Sequence, residues 1–99
     1  MTIREMETRN REAGFYFFSR GALEFFSSRI HPAVYEGPGG VFFVTSERCR
    51  PFHRHSRAYT VREFHPDGDV HTHGDFQEYS YRLAAHSAAE KAAKGTDNG

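Results

Sequence analysis

The sequence predicts an α+β fold: a single antiparallel sheet of about four strands, with a short N-terminal helix and a C-terminal Ala-rich helix packed on one face. Three observations carry this. Val41-Phe-Phe-Val-Thr is a continuous β-branched and aromatic run, the pattern of a central strand. Pro66-Asp-Gly separates two stretches of strand character as a tight turn does, because Pro presets φ and Gly accepts a left-handed backbone. Arg82 to Lys94 repeats Ala at four-residue spacing, with Gly95 placed to close the helix.

Each element has its own warrant. Residues 1–13 mix Arg and Glu around Ile3, Met6 and Ala13, and read as a flexible N-terminal arm or a frayed helix. Phe15-Tyr-Phe-Phe after Gly14 reads as a short aromatic strand. Ser19 is placed to cap a helix over about residues 20–28, whose apolar face would be Ala22, Leu23, Phe25 and Phe26. His31-Pro32 and Gly37-Pro-Gly-Gly bracket Ala33-Val-Tyr and allow only a short edge strand there. Residues 48–56 form a polar loop, Arg57 to Phe64 alternates as a strand, and Val70 to Gly74 returns from the Pro66 turn. The small Ala side chains of the last helix would let it lie close on the sheet. The domain therefore spans residues 14–95, and 96–99 read as a disordered tail.

Composition bounds the rest. With 99 residues there is room for one domain, and ten Phe make rings the main core material. A core of this size is marginal and often leans on a partner or on self-association, so a homodimer is one expected arrangement. Cys49 is the single cysteine, which rules out an intramolecular disulfide and fits a reducing compartment. The longest apolar runs are four residues, too short for a bilayer, and the N-terminus lacks the apolar stretch of a signal peptide. The expected location is the cytoplasm of a bacterial host, with no membrane association.

Thirteen basic residues balance thirteen acidic ones, but the two signs are segregated. Residues 48–62 carry Arg48, Arg50, Arg54, Arg57 and Arg62 with no acid, and residues 63–81 carry five acids with no Lys or Arg. Two readings follow: a bipolar surface for a charged partner, or neighbouring strands neutralising each other across the sheet. The polar loop is the best contact surface, with Arg48, Arg50, Arg54 and Arg57 as charge-assisted contacts and Phe52 as aromatic anchor.

Seven His raise the question of metal. His71-Thr-His73 places two imidazoles on one strand face, with His65, Glu63 or Asp75 as candidate third ligands. Cys49, His53 and His55 form a second candidate set. Arg residues around the latter repel a cation, and His beside a turn are commonly solvated, so the expectation is no metal and no cofactor. P-loop, nucleophile-elbow, HExxH and CxxC patterns are absent, and no catalytic residue is assigned. The chain reads as a non-enzyme.

Phe17-Phe-Ser-Arg, Leu23-Glu-Phe-Phe-Ser-Ser-Arg, Val41-Phe-Phe-Val-Thr-Ser-Glu, Tyr59-Thr-Val-Arg and Gly74-Asp-Phe-Gln-Glu-Tyr together resemble a small family of uncharacterised proteins from phages, plasmids and other mobile elements. The resemblance implies an accessory protein, of the kind that inhibits a host defence system such as CRISPR interference by occluding a protein surface. The implied partner is a host protein or ribonucleoprotein complex. The C-terminal half is also similar to the sheet-plus-helix DNA readers of the plant AP2 and integrase N-terminal type, which implies Arg57 and Arg62 as groove-reading residues. The alternative function is thus a small nucleic-acid-binding module that reads DNA through its sheet and Arg-rich loop.

Overall fold

The computed structural model describes residues 1–48 and 57–95. Four strands form one antiparallel sheet in sequence order: β1 (Arg29–Gly37), β2 (Gly40–Arg48), β3 (Arg57–Phe64) and β4 (Val70–His73). Three helices complete it: α1 (Ile3–Glu12), α2 (Arg20–Phe25) and α3 (Arg82–Lys94). The α+β class and the single four-stranded sheet are those the sequence predicts.

Alternation along β2 divides the core in two. Phe42 and Val44 point to one face, where with Val61 of β3 they meet Ala85, Ala89, Ala92 and Ala93 of α3. The small side chains of that stripe bring the helix close to the sheet. At its C-terminal end the contact is between backbones. The Gly39 N–H donates to the Ala93 carbonyl at 2.8 Å, and a Cβ on Gly39 would lie 2.0 Å from the Ala92 carbonyl oxygen. The Gly-Pro-Gly-Gly turn between β1 and β2 is therefore glycine-rich because α3 ends against it.

Phe43 points to the opposite face, where it is buried with Met6 of α1 and Phe64 of β3, and Phe17, Phe18, Ile30, Val34, Val41 and Val70 pack around them. Both faces of the sheet are thus covered, α3 on one and α1 with the Phe17–Phe18 segment on the other.

Residues 1–13 differ from the flexible arm or frayed helix expected. They form α1, closed at its start by a capping box in which the Thr2 hydroxyl accepts from Glu5 N–H and the Glu5 carboxylate accepts from Thr2 N–H. One turn apart, Met6 and Asn10 are both buried, and Asn10 Nδ2 donates to the Gly68 carbonyl at 2.7 Å. One methionine and one asparagine give too weak an apolar period to stand out in sequence, yet they dock the helix. Phe15–Phe18 is likewise a turn between α1 and α2, not a strand. Its rings serve the core instead, with Phe17 and Phe18 packing on Phe43 at centroid distances of 6.1 and 6.0 Å. Ser19 caps α2 as expected, accepting from Ala22 N–H, but α2 buries no residue, so its predicted apolar face looks outward.

β1 is longer than the short edge strand predicted. It accommodates Pro32 at an irregularity in pairing between Ile30 and Val34, where an edge strand tolerates a missing N–H. The Pro66-Asp-Gly turn forms as read, with Gly68 at φ +92°. Beyond β4 the chain bulges and returns to β3 at Tyr79, which exchanges backbone hydrogen bonds with Tyr59. No helix among the described residues is long and apolar enough to cross a membrane.

Candidate functional site

The registers of the sheet gather arginines at one end. Arg48, the last residue of β2, faces Arg57, the first of β3, and Arg29, the first of β1, faces Ser46. Residues 49–56 join Arg48 to Arg57. Arg50, Phe52 and Arg54, together with Cys49, His53 and His55, lie outside the described residues.

The two described arginines of this pair do different work. Arg57 is a clamp: its Nε donates to Ser46 Oγ at 3.1 Å, and its Nη2 donates to the Ser46 carbonyl at 2.7 Å and the Ser27 carbonyl at 2.6 Å. Burial lowers its pKa, and the charges of Arg29 and Arg48 lower it further. Arg48 is held through its backbone N–H, which donates to the Phe26 carbonyl at 3.1 Å. Its Nε is buried without a hydrogen-bond partner among the described residues. Arg20, Arg62 and Lys94 are paired with carboxylates, Glu24, Glu47 and Glu90.

Beside Arg48 lies a cavity of about 180 Å³ lined by Phe25, Phe26, Ser27 and Arg48 itself. Ser27 sits at φ +51°, a left-handed geometry more usual for glycine after a helix, and this turns the chain from α2 into β1. The rings form a ladder outside the core: Phe25 meets Phe26 edge-on at 4.6 Å, and Phe26 meets Phe76 at 5.2 Å. Phe25 is 79% exposed, although it is a large apolar residue. The sequence reading missed this patch because it assigned Phe25 and Phe26 to a buried face. A six-residue helix has too little surface to bury two adjacent rings.

Arg62 is elsewhere. It stands five residues from Arg57 on one strand, and an odd spacing puts the two on opposite faces, so they do not form a joint reading surface. Its side chain is 12% exposed and paired with the fully buried Glu47, Nη2 to Oε2 at 3.2 Å. Nε donates to Thr45 Oγ1 at 3.0 Å and Nη1 to Thr72 Oγ1 at 2.7 Å. The rings of Phe17 and Phe76 hold the guanidinium between them, at 5.2 and 5.4 Å. Thr60 completes the network by donating to Glu47 Oε1 at 2.9 Å. Burial lowers the Arg62 pKa, and Glu47 opposes that shift. Arg62 is therefore an interior residue, unlike the surface contact expected of it.

The histidines also resolve into places. His71 and His73 share a face of β4 as predicted, but His71 pairs with Asp69 at 3.1 Å, and the His73 ring packs on Phe42. The His65 ring lies 4.0 Å from that of His71 and pairs with Glu63. Among the described residues, no three His, Cys, Asp or Glu side chains are grouped to hold a metal ion. A contact the sequence did not show joins β1 to α3: His31 Nδ1 and His86 Nε2 are 2.8 Å apart, and Tyr35 Oη lies 2.8 Å from His86 Nδ1. Both imidazole pKa values are lowered, first by burial; the Arg82 charge adds to both, and His86 adds to the effect on His31.

Residues 2–90 match the model of a family of unknown function, DUF7447. The chain belongs to that family. The match runs from the capping residue of α1 into α3, so every element of the sheet and the arginine-rich end fall inside it. No curated protein and no solved structure matches the chain.

Proposed function

We propose that this member of DUF7447 is a non-enzymatic binding protein that docks on its partner through the arginine-rich end of the sheet. The observation that carries the reading is the juxtaposition of Arg29, Arg48 and Arg57 with an aromatic ladder left outside the core. Interfaces favour this pairing, because arginine gives directed charge-assisted bonds and aromatic rings give area at low entropic cost. The linking segment adds Arg50 and Arg54 and no acid. Phe25 and Phe26 join Phe52 as anchors in this reading, and Arg62 acts from the interior by holding Phe76 in place.

The phage or mobile-element setting rests on the resemblance described above, and with it the partner: a host protein or ribonucleoprotein complex of a CRISPR-type defence, inhibited by occlusion. The test is a pull-down from host extract with the parent chain and an Arg50→Glu/Arg54→Glu variant. A host protein retained by the parent and lost from the variant supports the reading. An identical set of captured proteins overturns it.

A further inference from the structure

We propose that the ring-and-arginine end of the sheet binds single-stranded nucleic acid, an inference that deepens the docking reading and rests on it. The first ground is Arg48. Its side chain lines the neighbouring cavity and its Nε has no hydrogen-bond partner among the described residues, so a phosphate seated there would meet a guanidinium that the protein itself leaves unsatisfied. The adjoining cavity of about 180 Å³ leaves room for a phosphate.

The second ground is the ladder. Phe25, Phe26 and Phe76 succeed one another at 4.6 and 5.2 Å, and Phe25 is largely open to solvent. A base stacks on such a ring whatever its identity, whereas a carboxylate is repelled by the negative face of the ring. The chemistry thus favours a polymer of phosphates and bases over an acidic protein. A duplex is the poorer fit, because paired bases hide their faces and both faces of this sheet are covered by helices and aromatic side chains.

The test is fluorescence anisotropy of the full chain with three labelled probes: an oligo-thymidylate of about twenty nucleotides, a duplex of equal length, and poly-glutamate. Binding of the single strand in preference to the duplex is expected. The logarithm of its affinity should fall with that of salt at a slope near −1.4, about −0.7 for each of two arginine–phosphate contacts, at Arg29 and Arg48. Phe25→Ala should weaken single-strand binding about five- to 150-fold, and Arg48→Gln should reduce the salt slope by about 0.7. Phe25 is exposed and α2 buries nothing, so the fold should persist; Phe25→Leu, which keeps apolar bulk and removes the ring, is the second variant. Equal affinity for duplex and single strand, or indifference to both Phe25 variants, overturns the inference. Binding of poly-glutamate alone, weakened by Arg48→Gln, overturns the nucleic-acid inference and leaves the docking reading standing. Failure of all three probes, with captured proteins unchanged by Arg50→Glu/Arg54→Glu, overturns both.

Discussion

Replacing Arg62 by Met should cost this domain much of its stability, because the Glu47 carboxyl would be left buried with no cation beside it. Glu47 is 0% exposed, and its two oxygens are served by Arg62 and by the Thr60 hydroxyl. The substitution also removes the donors to Thr45 and Thr72 and the cation held between Phe17 and Phe76. Removing one partner of a buried pair costs about 3–5 kcal/mol, against a total of about 5–15 kcal/mol for native domains. For a chain of this size that is a fall of roughly 12–40 °C in Tm. The paired variant Arg62→Met/Glu47→Leu removes both charges and keeps apolar volume, so it should recover most of the loss. The chain has no tryptophan, so urea unfolding is best followed by circular dichroism, with the coupling read from the double-mutant cycle. A loss below about 1 kcal/mol for Arg62→Met would falsify this account of Arg62 as an interior residue. So would a paired variant whose loss is the simple sum of the single losses.

Four further outcomes are expected. Met6→Ala should lower stability by about 2–5 kcal/mol, the cost of emptying a filled core site; a neutral result in the same urea assay would restore residues 1–13 to the status of a free arm. Gly39→Ala should cost about 1–3 kcal/mol by overpacking, since its Cβ would meet the Ala92 carbonyl. Gly21→Ala, with nothing within 4 Å and a helical setting, should be neutral or stabilising. The His31–His86 contact predicts a pH dependence. Both folded-state pKa values lie below the ordinary 6.5, so the folded state resists protonation more than the unfolded chain does. Their contribution is intact above about pH 6.5 and is lost as pH falls through the lowered values. Groups facing the pair are Tyr35, Tyr59, Arg57 and Arg82, and the Glu47 charge acts on His31 from the other face of the sheet. The urea midpoint should decline from pH 7 to pH 5, and more steeply in the parent than in His31→Gln/His86→Gln; equal slopes would remove the pair from the explanation.

Most of the sheet was legible in the sequence because its signals are local. Val41–Thr45, the Pro66 turn and the Ala stripe each combine a period with a breaker, and each forms where expected. The errors lie where hydrophobicity and exposure part company. Phe15–Phe18 looks like a strand because it is aromatic, but its rings were needed to cover Phe43. Phe25 and Phe26 look like a core face, yet α2 is too short to hide them. The capping box of α1 was present as Thr2-x-x-Glu5, but with one buried methionine the helix gave no apolar repeat. In the candidate site, Arg48 and Arg57 were legible as part of a basic block. Arg62 was assigned to the same block by its place in the sequence, although strand alternation sends it to the opposite face from Arg57. Arg29 was not found, since it is 19 residues from Arg48 in the chain and reaches that end only through strand pairing.

The strand order has a kinetic consequence. Because β1, β2, β3 and β4 are neighbours both in the chain and in the sheet, each pairing closes only a modest loop, and loop closure is the entropic toll that slows β-rich proteins. Hairpins can therefore zip before either face is covered. The distant events are the arrival of α3 beneath the Gly39 turn and of α1 over Phe43, and these bury the apolar surfaces that an unfinished sheet would expose. A chain released before Arg82 is synthesised carries a sheet whose Phe42 and Val44 lack the Ala stripe that covers them, so the last helix sets when this protein becomes safe from aggregation.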